Sequence, residues 1–412
     1  MPDAQDAPPA PPKGVLGVVF VTLFLDLLGF GILIPIQPFY AEHFGASATV
    51  VTLIGASYSV MQFIFAPLWG RLSDRVGRRP VVLTSIAIAA CGFLVFGFSD
   101  ALWMLFAARM VAGFGNANIG TVQAIVADVT TGKDRAKGMG IVGAAFGLGF
   151  IFGPIIGGVA GAAWGPASAA FISAGLAGLN WILAFFLLKE TRRPASTNAA
   201  PRGFMNLAAL GRAKDYVNVP ALLVIMFVFT FGFSMMESSL ALFVEHTFVP
   251  HDLIGTDEGQ KLSTKLTTYI LGVVGVTAVI VQGGLIGRLR KKAVEKSLIV
   301  IGCASIAVSF ALLPFAADLG YSYMFPVVVV LSFGSGIFSP SQSALLSRSV
   351  GGDEQGGILG VGQSMSALGR IFGPASSGLL FEHVATGAPL WAGAVLVAIG
   401  GVIALSLRQI KE

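Results

Sequence analysis

Charge is scarce in this sequence: only 11% of its 412 residues are Asp, Glu, Lys or Arg, while 55% are hydrophobic. A soluble domain carries roughly 25% charged residues, so composition alone excludes the soluble classes. Cysteine is nearly absent too. Cys91 and Cys303 fall in apolar runs in different halves, and no disulfide framework can be read from them. No G-x-x-x-x-G-K-[ST] string occurs, which excludes ATP hydrolysis by this chain. Neither H-E-x-x-H nor a Ser/His/Asp constellation occurs at membrane depth, so an enzyme is not expected. His43, His246, His251 and His383 lie near one set of helix ends without metal-ligand spacing, so no metal or cofactor is expected. The net charge of +5 is spread over short loops and does not mark a nucleic-acid partner.

Long apolar runs fill the chain instead. Spans are predicted at 15–40, 48–69, 81–99, 101–124, 138–161, 168–188, 219–244, 265–287, 297–316, 321–346, 356–380 and 386–407. Each is near the length a tilted membrane helix needs, about 17–25 residues. Strict polar–apolar alternation is absent, which argues against a barrel. Of the 26 Lys and Arg residues, only Lys261 and Lys265 fall at the second set of helix ends, and Arg109 and Arg370 lie within spans. Under the positive-inside rule both termini and the central loop are then cytoplasmic, which requires an even number of spans.

The predicted architecture is an all-α membrane protein of twelve transmembrane helices in two pseudo-symmetric six-helix bundles. Residues 1–14 read as a disordered cytoplasmic tail, 15–188 as the first bundle and 189–218 as a cytoplasmic linker. The second bundle is 219–407, and 408–412 form a second short tail. Within the linker, Phe204 to Asn218 has apolar residues at helical spacing beside Arg212 and Lys214. It reads as an amphipathic surface helix or as a plain tether. The halves are related: Leu148-Gly149-Phe150-Ile151-Phe152-Gly153-Pro154 recurs as Leu368-Gly369-Arg370-Ile371-Phe372-Gly373-Pro374. Gly158 matches Gly378, and Gly70-Arg71-Leu72 recurs as Gly287-Arg288-Leu289. Duplicated six-span units are a transporter architecture with the site at midplane between the halves.

The segment Gly70-Arg71-Leu72-Ser73-Asp74-Arg75-Val76-Gly77-Arg78-Arg79-Pro80 fits G-x-L-[AS]-D-[RK]-x-G-[RK]-[RK]-x at every constrained position. It resembles the signature loop of the major facilitator superfamily. The glycines would allow a tight turn, and Asp74 could cap a neighbouring helix N-terminus. The resemblance implies a latch in which Gly70, Asp74, Arg78 and Asp128 take part and whose charges hold the outward-facing state. Arg75 and Arg79 read better as topology determinants. In the fifth span, Gly149, Gly153, Pro154, Gly157 and Gly158, after Gly140, Gly143 and Gly147, resemble the antiporter signature of the drug:proton antiporter branch. Helix 1 (Phe24-Leu25-Asp26 through Gly29, Gly31, Pro35 and Pro38) and helix 2 (Tyr58 to Phe63, Pro67) resemble bacterial tetracycline efflux proteins. That likeness is continuous from about residue 20 to 160.

Ionisable residues inside spans are functional candidates because burial of charge is costly. Asp26 and Glu237, on helices that correspond under the repeat, are expected to face a shared cavity, and either could carry a proton. Arg109, in Arg109-Met110-Val111-Ala112-Gly113, matches the family's intramembrane arginine motif and needs acceptors such as Asp26, Asn116 or a backbone carbonyl. The resemblance gives it a part in proton transfer or substrate binding; a structural tie between helices 1 and 4 is the other reading. Arg370 is not part of the family pattern and could neutralise Glu237 or bind a substrate anion. Tyr58, Gln62, Asn116, Asn118, Gln123, Asn180, Gln282, Gln342 and Gln363 are cavity-polar candidates, although interhelical hydrogen bonding serves most of them as well.

The expected function is proton-coupled export of a small amphipathic molecule, drug-like or tetracycline-like, from the cell's inner membrane by alternating access. Small molecules, protons and the bilayer are the expected partners, and the family default is a monomer. Proton-coupled uptake of an organic anion, sugar or amino acid is the alternative, and lipid transport a third reading.

Overall fold

The computed structural model describes residues 14–130, 132–191, 211, 214–289, 294–350 and 355–408. The N-terminal tail and most of the proposed amphipathic helix lie outside them; residues 214–218 form turns and bends. The described chain is almost wholly helical. Ten of its helices are long and apolar enough to cross a membrane. Their outward faces are apolar: Phe98, Trp103, Phe186 and Val402 are each at least two-thirds exposed. Such continuous apolar surface belongs in lipid.

In chain order the helices are α1 (Val15–Leu33), α2 (Gln37–His43), α3 (Ala48–Val76), α4 (Arg78–Gly97), α5 (Leu102–Gly115), α6 (Ile119–Val129), α7 (Gly132–Trp164) and α8 (Pro166–Leu187). Then follow α9 (Val219–Phe248), α10 (Asp257–Ile280), α11 (Glu295–Leu312), α12 (Met324–Arg348), α13 (Gln355–His383) and α14 (Ala388–Leu405). Four predicted spans are interrupted, that at 297–316 by a 3₁₀ turn at Leu313–Phe315. The first stops at Leu33 and resumes as α2, because Pro35 and Pro38 lack the amide donors a continuous helix needs. A 3₁₀ turn at Asn116–Asn118 separates α5 from α6. A π turn at Val281–Leu285 follows α10.

The repeat is visible in the packing. A methyl added at Gly149 would stand 2.6 Å from Leu27 Cβ, and one at Gly153 2.7 Å from Gly31 Cα, so α7 lies directly on α1. In the later segment, a methyl at Gly369 would be 2.8 Å from Phe231 N and one at Gly373 2.6 Å from Ser234 Cβ, placing α13 on α9 in the same way. Small residues permit this approach. The next matched pair turns to the other half of the chain: a side chain at Gly158 would overlap Thr268 in α10, and one at Gly378 would overlap Thr52 in α3.

Side-chain hydrogen bonds between the halves lie at the same end of the molecule as Gly158 and Gly378. Thr49 N donates to Glu382 Oε2 at 3.1 Å, and Gln260 Nε2 donates to the Phe39 carbonyl at 3.1 Å. Both hydrogen bonds lie at the end remote from Asp74.

Candidate functional site

Helices from both halves surround a cavity of about 90 Å³. Its lining includes Phe30, Tyr58 and Arg109 from the first half, and Ser234, Glu237, Ser238 and Arg370 from the second. The Arg109 guanidinium lies over two aromatic faces, 4.9 Å from the Tyr58 ring centroid and 5.3 Å from that of Phe30. Arg109 is 4% exposed, and its Nε and Nη1 have no hydrogen-bond acceptor. Aromatic faces attract the cation but accept no conventional hydrogen bond, so these donors remain available to a ligand. For these two atoms none of the expected acceptors, Asp26, Asn116 or a backbone carbonyl, is in hydrogen-bonding position. Glu237 sits within electrostatic reach of both Arg109 and Arg370. One carboxyl and two guanidiniums therefore share the cavity.

Asp26 is elsewhere. It is 8% exposed and does not line the cavity, contrary to the expectation of a common wall with Glu237. Its Oδ1 accepts from Asn180 Nδ2 at 2.8 Å, and the same amide reaches the Thr22 carbonyl at 3.0 Å. Oδ2 has no bonded donor, although the Asn118 side chain lies alongside. The carboxyl thus faces α8, because the face of α1 that carries it is covered by that helix.

Of the polar candidates, only Tyr58 lines the cavity. Gln62 stands behind it, donating to the Asn116 carbonyl at 3.0 Å and to the Tyr58 hydroxyl at 3.2 Å. Asn118 donates to Ser85 Oγ at 2.5 Å, and Gln342 to the Leu222 carbonyl at 3.4 Å. Gln123 is half-buried away from the cavity; Gln282 and Gln363 are exposed. Ser234, Ser238 and Gln37 were not anticipated. Ser234 stands three residues before Glu237 and four before Ser238, a helical spacing that could have found both serines. Gln37 keeps its Oε1 buried without a partner.

The signature segment is not a loop. Gly70–Val76 complete α3, and the turn is Gly77 alone, at φ +112°. A side chain there would also collide with Glu190. Arg78 Nη1 donates to Asp74 Oδ1 at 2.6 Å and to Ser73 Oγ at 2.7 Å, and Nε donates to Asp128 Oδ2 at 3.1 Å. The cap on α4 is not Asp74, which is spent on Arg78. Glu190 takes that place, accepting from the amides of Arg78 at 2.9 Å and Arg79 at 3.1 Å. A carboxylate suits a helix N-terminus on charge grounds. This cluster is intact while the opposite end of the molecule is the packed one. Gly70 has open space around its Cα.

Comparison with known proteins agrees with this geometry. The model of the Major Facilitator Superfamily matches residues 19–374. The chain is 32% identical to the class C tetracycline resistance protein of Escherichia coli over 88% of both chains. It is 29% identical to multidrug resistance protein 2 of Bacillus subtilis over 93% of both. Among solved structures, the human organic anion transporter MFSD10 (TETRAN) superposes with a TM-score of 0.71 at 24% identity, covering 97% of this chain and 100% of that one. The nucleoside transporter NupG, solved as a point mutant, gives 0.74 at 14% identity, covering 95% and 98%. A family match of this extent, on a chain of apolar helices around a charged cavity, places the protein in the Major Facilitator Superfamily of membrane transporters.

Proposed function

We propose that this protein exports small amphipathic compounds in exchange for protons, across a bacterial inner membrane, by rocking two six-helix bundles about the cavity. In this reading α5 with α6, and α13, complete the ten long helices to twelve spans, and both termini are cytoplasmic. The packed end then faces outside, and the conformation is closed to that side. The latch would be formed in this state as well as in the outward-facing one, since Asp74, Arg78 and Asp128 all belong to the first half.

The observation that carries the reading is the grouping of Glu237, Arg109 and Arg370 around one cavity between the halves. A protonated Glu237 leaves both guanidiniums uncompensated and an ionised one offsets one of their two charges, so protonation alters what the site binds. The relatives named for tetracycline and multidrug resistance support the same substrate class. A cavity of about 90 Å³ is below the roughly 300–1,000 Å³ of drug-sized sites, so loading requires the halves to part. Two guanidiniums against one carboxyl also favour substrates bearing an anionic or zwitterionic group, which keeps uptake of an organic anion as the second reading.

The test is internal pH in proteoliposomes holding a trapped pH dye, on addition of tetracycline and panels of lipophilic cations, anions and zwitterions. Proton movement triggered by a panel member, in the antiport direction, supports export and identifies the class. Movement in the same direction as an organic anion transfers the weight to uptake. Silence across the panel from folded protein contradicts both and favours lipid transport.

A further inference from the structure

The packed end of the molecule holds a second ionisable group of residues. Glu42 in α2 and Glu245 in α9 come from different halves of the chain, and their carboxyl oxygens and a ring nitrogen of His246 lie within 4.8 Å of one another. Glu245 is fully buried, and neither of its oxygens has a hydrogen-bond donor; Glu42 Oε2 is also buried and unpartnered. Neither residue forms an ion pair among the described residues. Two carboxylates at this separation, shielded from water, repel each other strongly, and a proton shared between them relieves that repulsion.

The surroundings offer little to neutralise them. His246 Nδ1 lies 3.0 Å from the Leu242 carbonyl, which can only accept, so Nδ1 carries a hydrogen and is spent within α9. The His246 ring meets the edge of Phe381 in α13, whose end carries Glu382 and His383. His43 follows Glu42 on α2 and is exposed, while α10 presents Gln260 and, on its exposed side, Lys261. Gln260 is already bonded to the Phe39 carbonyl. Burial first, and then the neighbouring Glu245 carboxyl, hold Glu42 well above the usual carboxylate range.

We propose that Glu42 and Glu245 form a proton-binding pair that closes this end of the transporter, taking up a proton as the halves meet and releasing it as they part. A proton from the adjoining water protonates one carboxylate oxygen, and the resulting hydroxyl donates to the other carboxylate; opening returns the proton to water. The inference rests on the rocking motion proposed above and adds a second proton site, outside the substrate cavity. The sign follows from linkage. The closed state holds a proton that the open, hydrated carboxylates release above about pH 4.3, so closure is favoured at low pH and weakens as pH rises.

The test is a distance measurement between spin labels placed at Asp100 and Asp318. Both residues are exposed at this end, one in each half, and Cys91 and Cys303 would be replaced by alanine in full-length protein in lipid nanodiscs. In the parent protein the short-distance population should fall as pH is raised from about 5 to about 9. In Glu42→Gln with Glu245→Gln it should stay dominant throughout, because amides do not ionise; Glu42→Gln alone, at the less buried member, should lose at least half of the pH response. A parent distance indifferent to pH overturns the proposal, and so does an unchanged response in the double variant. Closure at high pH on adding Mg²⁺ or Zn²⁺, reversed by chelator, also overturns it and makes the pair a cation clamp. Failure of the transport reading is separable: proteoliposomes without substrate-triggered proton movement, alongside intact pH-dependent closure, contradict antiport and leave this pair standing.

Discussion

Gly149 and Gly153 of α7 lie against α1 as Gly369 and Gly373 of α13 lie against α9, yet the residue inside each pair differs: Phe150 in one helix, Arg370 in the other. Phe150 meets Phe30 with its ring tilted, centroids 5.8 Å apart, whereas Arg370 lines the cavity. The glycine positions admit no side chain because a backbone occupies the space, so they are held by shape. The position between them faces away from that contact and can change its chemistry without disturbing the packing. Duplication has preserved the scaffold while the two halves carry different charges.

The same comparison explains why Asp26 and Glu237 are not counterparts. Gly31 and Ser234 occupy corresponding places, against Gly153 and Gly373. Asp26 precedes Gly31 by five residues, whereas Glu237 follows Ser234 by three. The two carboxyls therefore sit at different depths and on different faces of their helices: one is bonded to Asn180, the other borders the cavity.

The sharpest way to break this account is at the first half's own cation. Arg109→Lys retains charge but loses the planar guanidinium over Phe30 and Tyr58, and transport in vesicles should drop by about a hundredfold with folding retained. The repeated packing predicts matched damage from Gly153→Val and Gly373→Val. Each should destabilise by about 1–3 kcal/mol, read by thermal unfolding in detergent; a large effect from only one would contradict the equivalence. Arg370→Phe makes the second half resemble the first. It should shift preference from anionic toward cationic substrates by about tenfold in competition assays. Smallest is Asn180→Ala, which removes the donor to Asp26 and should cost about 1–2 kcal/mol of stability, measured by the same unfolding.

Much of the fold was legible in the sequence because hydropathy and backbone satisfaction leave few options in a bilayer. The repeat was readable from spacing, and the Asp74–Arg78–Asp128 cluster was what the resemblance to the signature segment implied. Asp26 was not correctly oriented, since a span boundary uncertain by a few residues rotates every side chain about the helix axis. Glu190 as the cap on α4 was illegible, because it lies far along the chain and only the return of α8 brings it to Gly77. Glu42 and Glu245 belong to no motif that would single them out. Their meeting depends on how the halves close, which no local pattern encodes.

The central claim is that the cavity carboxyl, Glu237, couples proton and substrate while Asp26 holds α1 to α8. The direct measurement is substrate-triggered proton movement in proteoliposomes, with Glu237→Gln and Asp26→Asn run beside the parent at equal amounts of folded protein. The account predicts that Glu237→Gln loses at least about nine-tenths of the proton signal, whereas Asp26→Asn keeps most of it and unfolds at a lower temperature. The reverse pattern, with proton movement lost in Asp26→Asn and kept in Glu237→Gln, would contradict it.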